Sequence, residues 1–395
     1  MINQNSVVPL KLVALAPNSW DGQWVNRQQL LSRLGRRFRI LYSTGGWFSW
    51  DRHSSEWRQA PFRGSIQHTD NVGVDHSPRY LLRMPRLPLV DSLVLQLQAR
   101  RWRRLVGNDG ALVAYLFHPC FYPYLQALRP DFVVYHAYDL FDHTPGWNAQ
   151  LEDYERRLLA EADLTIASSG AMAEGLQEKG CRPVRVLPNG ADVTAFFRAQ
   201  TEPEPTDLAK IPHPRLGYIG SLHPHVDYGL VAALAQRRFD WHFVFVGGKV
   251  SHPDVRAKSE LNACHTLPNV HFLGFKEHYR VPAYVVNMDV NLLCYSLSDN
   301  YWIKAGYPLK LHEYLAAGRS VVSADLASVR PFATVVRIAS GVEDWYQAIC
   351  EAIEGGVGDP EQRRSVANQN SWEARVQVLE NWLLDLVGTN QSKRS

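Results

Sequence analysis

Short apolar runs alternate with longer helical patterns twice along this chain, and a proline-rich break separates the two series. The first series is Val8–Ala16, Phe38–Ser43, Leu112–Phe117, Phe132–His136, Leu164–Ser168 and Val184–Leu187. Helical stretches such as Asn26–Arg37 and Leu151–Ala162 lie between them. Runs this short and apolar read as strands buried on both faces, with the helices as crossovers of parallel βαβ units. At 199–214 prolines 203, 205, 212 and 214 interrupt a stretch of little apolar content, which reads as a linker. The rhythm then restarts with Arg215–Gly220, Trp241–Gly247, Val270–Leu273, Asp289–Tyr295, Ser320–Ser323 and Val335–Ala339. A second polar stretch, 355–371, precedes a last helix around Trp372–Leu386. The expectation is α/β, with two doubly wound domains of similar size at 1–198 and 215–371, a linker at 199–214, and a helix and tail at 372–395.

Composition narrows the class. The 395 residues are 46% apolar and 21% charged, which is globular and not disordered. No apolar run reaches the ~18 residues of a spanning helix. Residues Met1–Ser6 lack the basic and apolar regions of a secretory signal. The cysteines Cys120, Cys181, Cys264, Cys294 and Cys350 are odd in number and far apart, with neither a disulfide framework nor metal spacing. A cytoplasmic chain is expected.

Charge is uneven. Residues 1–110 hold 16 Lys/Arg and 7 Asp/Glu, a balance of +9 in a chain whose net charge is +3. Seven arginines (Arg79, Arg83, Arg86, Arg100, Arg101, Arg103, Arg104) and one acid, Asp91, fall within 79–106. Asp91–Val106 reads as an amphipathic helix with a basic end. Such a face suits an anionic membrane surface or a phosphorylated lipid; the alternative is a solvated helix packed by its leucines. No nucleic-acid motif is present, and no nucleic-acid partner is expected.

In doubly wound domains, ligand loops follow the carboxyl ends of strands, so chemistry is sought there. Tyr301–Val322 follows one such strand. Pro308 suits a helix first turn, and Lys310 and Glu313 share one face of it. A helix N-terminus with a lysine suits a phosphate, and a glutamate accepts a pair of ribose hydroxyls. An ordinary surface Lys/Glu pair has the same spacing. In the first half, His118 follows one strand, and Asp139, Asp142 and His143 follow the next. The first loop, Asn18–Trp24, offers Asp21, Gly22 and Trp24, with Arg27 just beyond. Asn189-Gly190 is a turn signal, and Gly247-Gly248-Lys249 ends a strand. His213, His223, His225 and Asp227 fit no zinc spacing, so no metal is expected. There is no nucleophile elbow, P-loop or dinucleotide fingerprint.

The segment Pro308–Val322 (PLKLHEYLAAGRSVV) resembles the donor-binding segment of GT-B glycosyltransferases, in which two Rossmann-like domains face each other across a cleft. Further stretches match in order: Ala162–Ser169, Leu187–Asp192 with Phe196, Tyr218–Leu222, Val270–Gly274 and Ser371–Arg375. The last resembles the closing helix that crosses back to the first domain. The resemblance implies a nucleotide sugar, UDP-linked by frequency, held by Gly220, Ser221, Lys310, Glu313 and Asn189. It places the acceptor on the first domain near Asp21, Gly22 and Arg27. Asp139 is the implied base if the enzyme inverts, with His118 and Asp142 in reserve. GT-B enzymes generally need no metal cofactor, because helix dipoles and basic side chains neutralise the leaving phosphate.

The pattern also departs from the retaining enzymes. Their Glu-x7-Glu pair would place its first acid at Ala305, and the basic pair after the glycine turn is missing from Gly220–His225. Pro-Leu-Lys-x-x-Glu is similar instead to enzymes of bacterial exopolysaccharide and cell-wall assembly, including the glucuronosyltransferase of xanthan synthesis, an inverting branch. The expected acceptor is therefore a lipid-pyrophosphate-linked sugar or a glycan, and the expected place the inner membrane face, reached through residues 79–106. A nucleotide-sugar epimerase and a non-catalytic scaffold on the same fold are the alternatives.

Overall fold

The computed structural model describes residues 10–144, 146–180, 183–248, 255–297 and 305–394. Val8 and Pro9 of the first expected strand, Met1–Ser6, Cys181, Lys249 and residues 301–304 lie outside them. The chain forms two compact units: Met1–Leu187 with Val376–Ser395, and Pro188–Arg375.

The first unit contains β1 (Leu10–Leu15), β2 (Arg39–Ser43), β3 (Trp47–Phe48), β4 (Ser65–Thr69), β5 (Val72–His76), β6 (Leu82–Arg83), β7 (Ala111–Leu116), β8 (Phe132–Ala137), β9 (Leu164–Ala167) and β10 (Val184–Val186). Eight of them form one sheet in the order β10-β9-β8-β7-β1-β2-β5-β4. Its pairs are parallel except β4–β5. β3 and β6 pair separately. The first half of the chain winds outward from β1 through β2, and β7 returns to its other side, so the switch point lies between β1 and β7. Every residue of β1 is buried, as its unbroken apolar run requires.

The β4–β5 hairpin is not legible as two apolar runs. Its signal is the turn: Asp70 and Asn71 both take positive φ, 49° and 65°, as a two-residue hairpin demands. The hairpin places Asp75 at the end of β5, fully buried. Asp75 accepts from Ser43 Oγ (2.9 Å), Trp102 Nε1 (2.7 Å) and Gln98 Nε2 (3.2 Å), and pairs with Arg101. These last three sit on the helix Pro88–Val106, which is held at its other end by Asp91 bonding Arg83 (2.7 Å) and the Met84 amide (2.8 Å). Two buried carboxylates thus clamp this helix, and of its leucines Leu95 packs inward.

The second unit contains β11 (Arg215–Ile219), β12 (His242–Val246), β13 (Val270–Phe272), β14 (Val290–Leu293), β15 (Ser320–Ala324) and β16 (Arg337–Ala339). They form a parallel sheet in the order β13-β12-β11-β14-β15-β16, with its switch point between β11 and β14. Residues 188–214 belong to this unit and do not behave as a solvated linker. Leu208 and Ile211 are buried in its core, and Arg215 Nε donates to the Ile211 carbonyl at 2.7 Å. The division therefore falls earlier than the proline-rich stretch. The polar stretch 355–371 likewise contains a helix, Pro360–Gln369, capped by Asp359 and pinned by Arg363 to the carbonyls of Gly318 (3.1 Å) and Gly358 (2.8 Å). The last helix, Trp372–Arg394, begins in the second unit and from Val376 packs in the first, where Glu380 pairs with Arg37 at 3.0 Å.

Candidate functional site

In the second unit the site grows from the end of β11. Gly220 follows this strand with φ 145°, and a Cβ there would lie 2.2 Å from Lys310 Cε and 2.6 Å from Nζ. Only glycine leaves room for the lysine. A Cβ on Gly247, at the end of β12, would lie 1.9 Å from the Gly220 carbonyl, so the two strand ends meet backbone to backbone. Lys310 is the first residue of the seven-residue helix Lys310–Ala316, two residues later than a helix begun by Pro308 would start. Its ammonium stands 4.8 Å over the Tyr218 ring and 3.4 Å from the Tyr295 hydroxyl. Tyr218 is on β11 and Tyr295 just beyond β14. The lysine therefore sits at the switch point, where an open parallel sheet receives its ligand.

Glu313 lies one turn on from Lys310. Its carboxylate accepts no hydrogen bond among the described residues. Burial pushes its pKa up to about 7; Lys310 opposes this and Asp192 adds to it. His223, beyond Gly220, is held down to about 4 by burial, then by Lys310 and His225. It is neutral at pH 7 and does not share the lysine's charge. A groove of about 550 Å³ continues from Gly247 along Leu222, Phe272, Leu273 and Gly274 to His265.

Asn189 is placed differently from a ligand contact. Its Nδ2 donates to the Tyr307 carbonyl at 2.7 Å, and Tyr307 in turn bonds His312 at 2.7 Å. The amide ties the start of this unit to the loop ahead of Lys310. Ser221 is half-buried beside Gly220, where its carbonyl accepts from Tyr218 at 3.2 Å.

In the first unit, the ends of β1, β7 and β8 bring Asn18, Arg27, His118 and Tyr138 together. Arg27 is 4% exposed; it donates to Asn18 Oδ1 at 2.8 Å and lies 4.5 Å over the Tyr138 ring. Its Nε and Nη1 have no hydrogen-bond partner among the described residues. An arginine so enclosed shapes the loop instead of reaching out from it. His118 Nδ1 accepts from the Cys120 amide at 3.1 Å, and burial, with Arg27, holds its pKa down to about 4. The neutral ring then carries its proton on Nε2 and donates there, which disfavours it as a base. Asp139 is half-buried beside Tyr138, with Oδ1 accepting from the Leu140 amide at 2.9 Å. Asp142 is engaged by Lys179 at 2.9 Å. Asp21 and Gly22 are exposed on the first loop, whose base is fixed by buried Trp20 through its bond to Asp70 (3.2 Å).

Of the residues singled out from sequence, the structure thus joins Gly220, Lys310 and Glu313 in one unit, and Arg27, His118 and Asp139 in the other. Asn18, Tyr138, Tyr218, Tyr295 and Asp192 were missed. Their only sequence signal is that they follow or end apolar runs, or flank a residue already chosen.

Two family models match the chain: "Glycosyltransferase Family 4" over residues 53–195 and "Glycosyl transferases group 1" over residues 213–355. A Bacillus subtilis (strain 168) protein described as "Putative teichuronic acid biosynthesis glycosyltransferase TuaH" is 29% identical over 272 residues. That match spans 64% of this chain and 66% of the relative, just under two thirds of its length. Among solved structures, Anabaena Alr3699/HepE in complex with UDP superposes with a TM-score of 0.66 at 15% identity, covering 95% of this chain and 99% of that one. An Escherichia coli trehalose-6-phosphate protein bound with UDP-2-fluoro glucose gives 0.68 at 12%, covering 95% and 99%. The chain therefore has the two-domain α/β GT-B fold, with one glycosyltransferase family match in its first half and a second within its C-terminal unit.

Proposed function

We propose that this protein is a glycosyltransferase that moves a sugar from a UDP-sugar to a hydroxyl of a lipid-linked or polysaccharide precursor of the bacterial envelope, at the inner membrane face. The observation that carries the reading is the cradle in which Gly220 yields its side-chain space to Lys310 at the switch point between β11 and β14. A cation there suits the diphosphate of a nucleotide. The UDP named in the HepE structure supports the base, and the teichuronic acid relative supports the acceptor class.

In this reading, Lys310 pairs with the donor diphosphate and Glu313 accepts the ribose hydroxyls. The bond from the anomeric carbon to the phosphate oxygen breaks, and UDP leaves with its added charge against the Lys310 ammonium. The acceptor oxygen forms the new bond to that carbon, and its proton passes to the Asp139 carboxylate. Lys310 takes the place that a metal ion has in other transferases, so a chelator should leave turnover unchanged.

The test is a panel of UDP- and GDP-sugars, read by thermal shift and by slow donor hydrolysis. Stabilisation by a UDP-sugar is expected. Lys310→Ala should abolish it and lower turnover at least a hundredfold, the scale of losing one charge-stabilising group, while leaving the apo melting temperature within a few degrees. Unchanged turnover in this variant defeats the donor assignment. An epimerised product would point to an isomerase, and no binding by a folded sample to a scaffold.

A further inference from the structure

The helix Pro88–Val106 buries Leu95 but keeps Leu89, Leu93, Leu97 and Leu105 on the outside. Its buried residues are Asp91, Leu95, Gln98, Ala99, Trp102 and Val106, of which the polar ones are the clamps described above. On the opposite side Leu89, Leu93 and Leu97 follow each other at four-residue spacing, 88%, 56% and 40% exposed. Arg100 and Arg104 prolong the same row for two more turns, exposed and without an ion pair among the described residues. Arg86 is exposed just ahead of the helix. Arg83, Arg101 and Arg103 are used internally, by Asp91, by Asp75 and by the Leu128 carbonyl. The basic patch of the sequence therefore resolves into an inner set that anchors the helix and an outer set in line with the leucines.

Exposed aromatic residues, Trp50, Phe62 and Tyr80, occur in the same unit. Trp50 stacks on Phe48 at 4.5 Å, and Phe48 lies 5.1 Å from the Arg83 guanidinium that grips the helix. Phe62 packs on Tyr80 at 5.4 Å.

We propose that this outer row docks the first unit on an anionic phospholipid surface, with Leu89, Leu93 and Leu97 in the headgroup–acyl boundary and Arg86, Arg100 and Arg104 against lipid phosphates. This rests on the reading above only in that a lipid-linked acceptor gives such docking its use. Charge complementarity selects the occupant. A second copy of the chain would set these arginines against leucines or arginines and bury unpaired charge, whereas lipid phosphates pair them. No helix among the described residues is long and apolar enough to cross a membrane, so the contact is one of surface attachment.

Flotation of the full chain with vesicles tests this. One set is phosphatidylcholine alone, the other phosphatidylcholine mixed with phosphatidylglycerol. Binding to the mixed vesicles, weakened by salt, is expected. Arg100→Ala with Arg104→Ala should lower the partition coefficient about thirtyfold, since each basic residue near an anionic surface contributes a factor of roughly five to ten. Leu93→Ser with Leu97→Ser should abolish flotation. Both pairs are exposed, and unchanged melting temperatures would confirm folding. Equal binding by the variants, no binding to mixed vesicles, or a dimer in light scattering that the serine variant dissolves each overturns the proposal. The UDP-sugar thermal shift needs no vesicle, so failure here leaves the donor reading intact and failure there leaves this one intact.

Discussion

Glu313→Gln should separate the stability of the C-terminal unit from its donor affinity. Glu313 is held in a half-buried place beside Lys310, where burial and Asp192 raise its pKa from 4.5 to about 7. A carboxyl with a raised folded-state pKa favours folding while protonated. That contribution is present below its unfolded value near 4.5 and is lost as pH rises through about 7. At pH 8 the ionised side chain therefore costs about 3 kcal/mol, at 1.36 kcal/mol per pKa unit, and at pH 5 under about 1 kcal/mol. Glutamine removes the charge and keeps the shape. At roughly 2–4 °C per kcal/mol for a unit of this size, the variant should melt about 6–12 °C above the parent at pH 8, and far closer to it at pH 5. Differential scanning fluorimetry across that range is the assay. The same variant should respond much less to a UDP-sugar, because an amide offers one acceptor oxygen where the carboxylate offers two. An equal melting difference at both pH values would refute the placement of an ionised, strained carboxylate here. A full donor response in the variant would refute its role toward the ribose.

Two further outcomes follow from the geometry. Gly220→Ala puts a methyl 2.2 Å from Lys310 Cε, so the lysine must leave its cradle. Donor affinity should fall at least tenfold by isothermal titration, more than the apo melting temperature falls, and an unchanged affinity would show that Lys310 does not act from that position. Asp139→Asn should lower turnover with acceptor by about 10²–10⁴, the usual worth of a positioned base, while UDP-sugar binding holds. His118→Gln, which keeps a donor group, should be much milder, and the reverse order in acceptor assays would move the base to His118.

The strand series was readable from sequence because the central strands, β1, β7, β9, β11, β14 and β15 among them, are buried on both faces or nearly so, and must be continuously apolar. All the main parallel strands from β1 to β16 fall where those runs lie. β4 and β5 escaped because one is an exposed edge and the other carries Gly73, Asp75 and His76, whose fitness depends on partners far along the chain. Helices in polar stretches escaped for the same reason. Pro360–Gln369 is held by Arg363 reaching carbonyls around Gly318 and Gly358, a distribution that no local periodicity records.

The candidate site divides similarly. Lys310 and Glu313 were legible because they share a helical turn after a strand, and Gly220 because it ends one. That Gly220 is the residue whose missing Cβ admits Lys310 is a tertiary fact, since the two are far apart in sequence and meet only where β11 and β14 adjoin. The amphipathic pattern of 91–106 specified a helix and its two faces. Which face turns inward was decided by Asp75 and Asp91, because a buried carboxylate must be satisfied by donors and the donors Gln98, Arg101 and Trp102 all lie on one side. Sequence thus determined the local elements and their order, where the physics is short-ranged. Tertiary structure decided which polar groups are spent on one another and which are left facing outward, because that depends on contacts the chain makes only once it is folded.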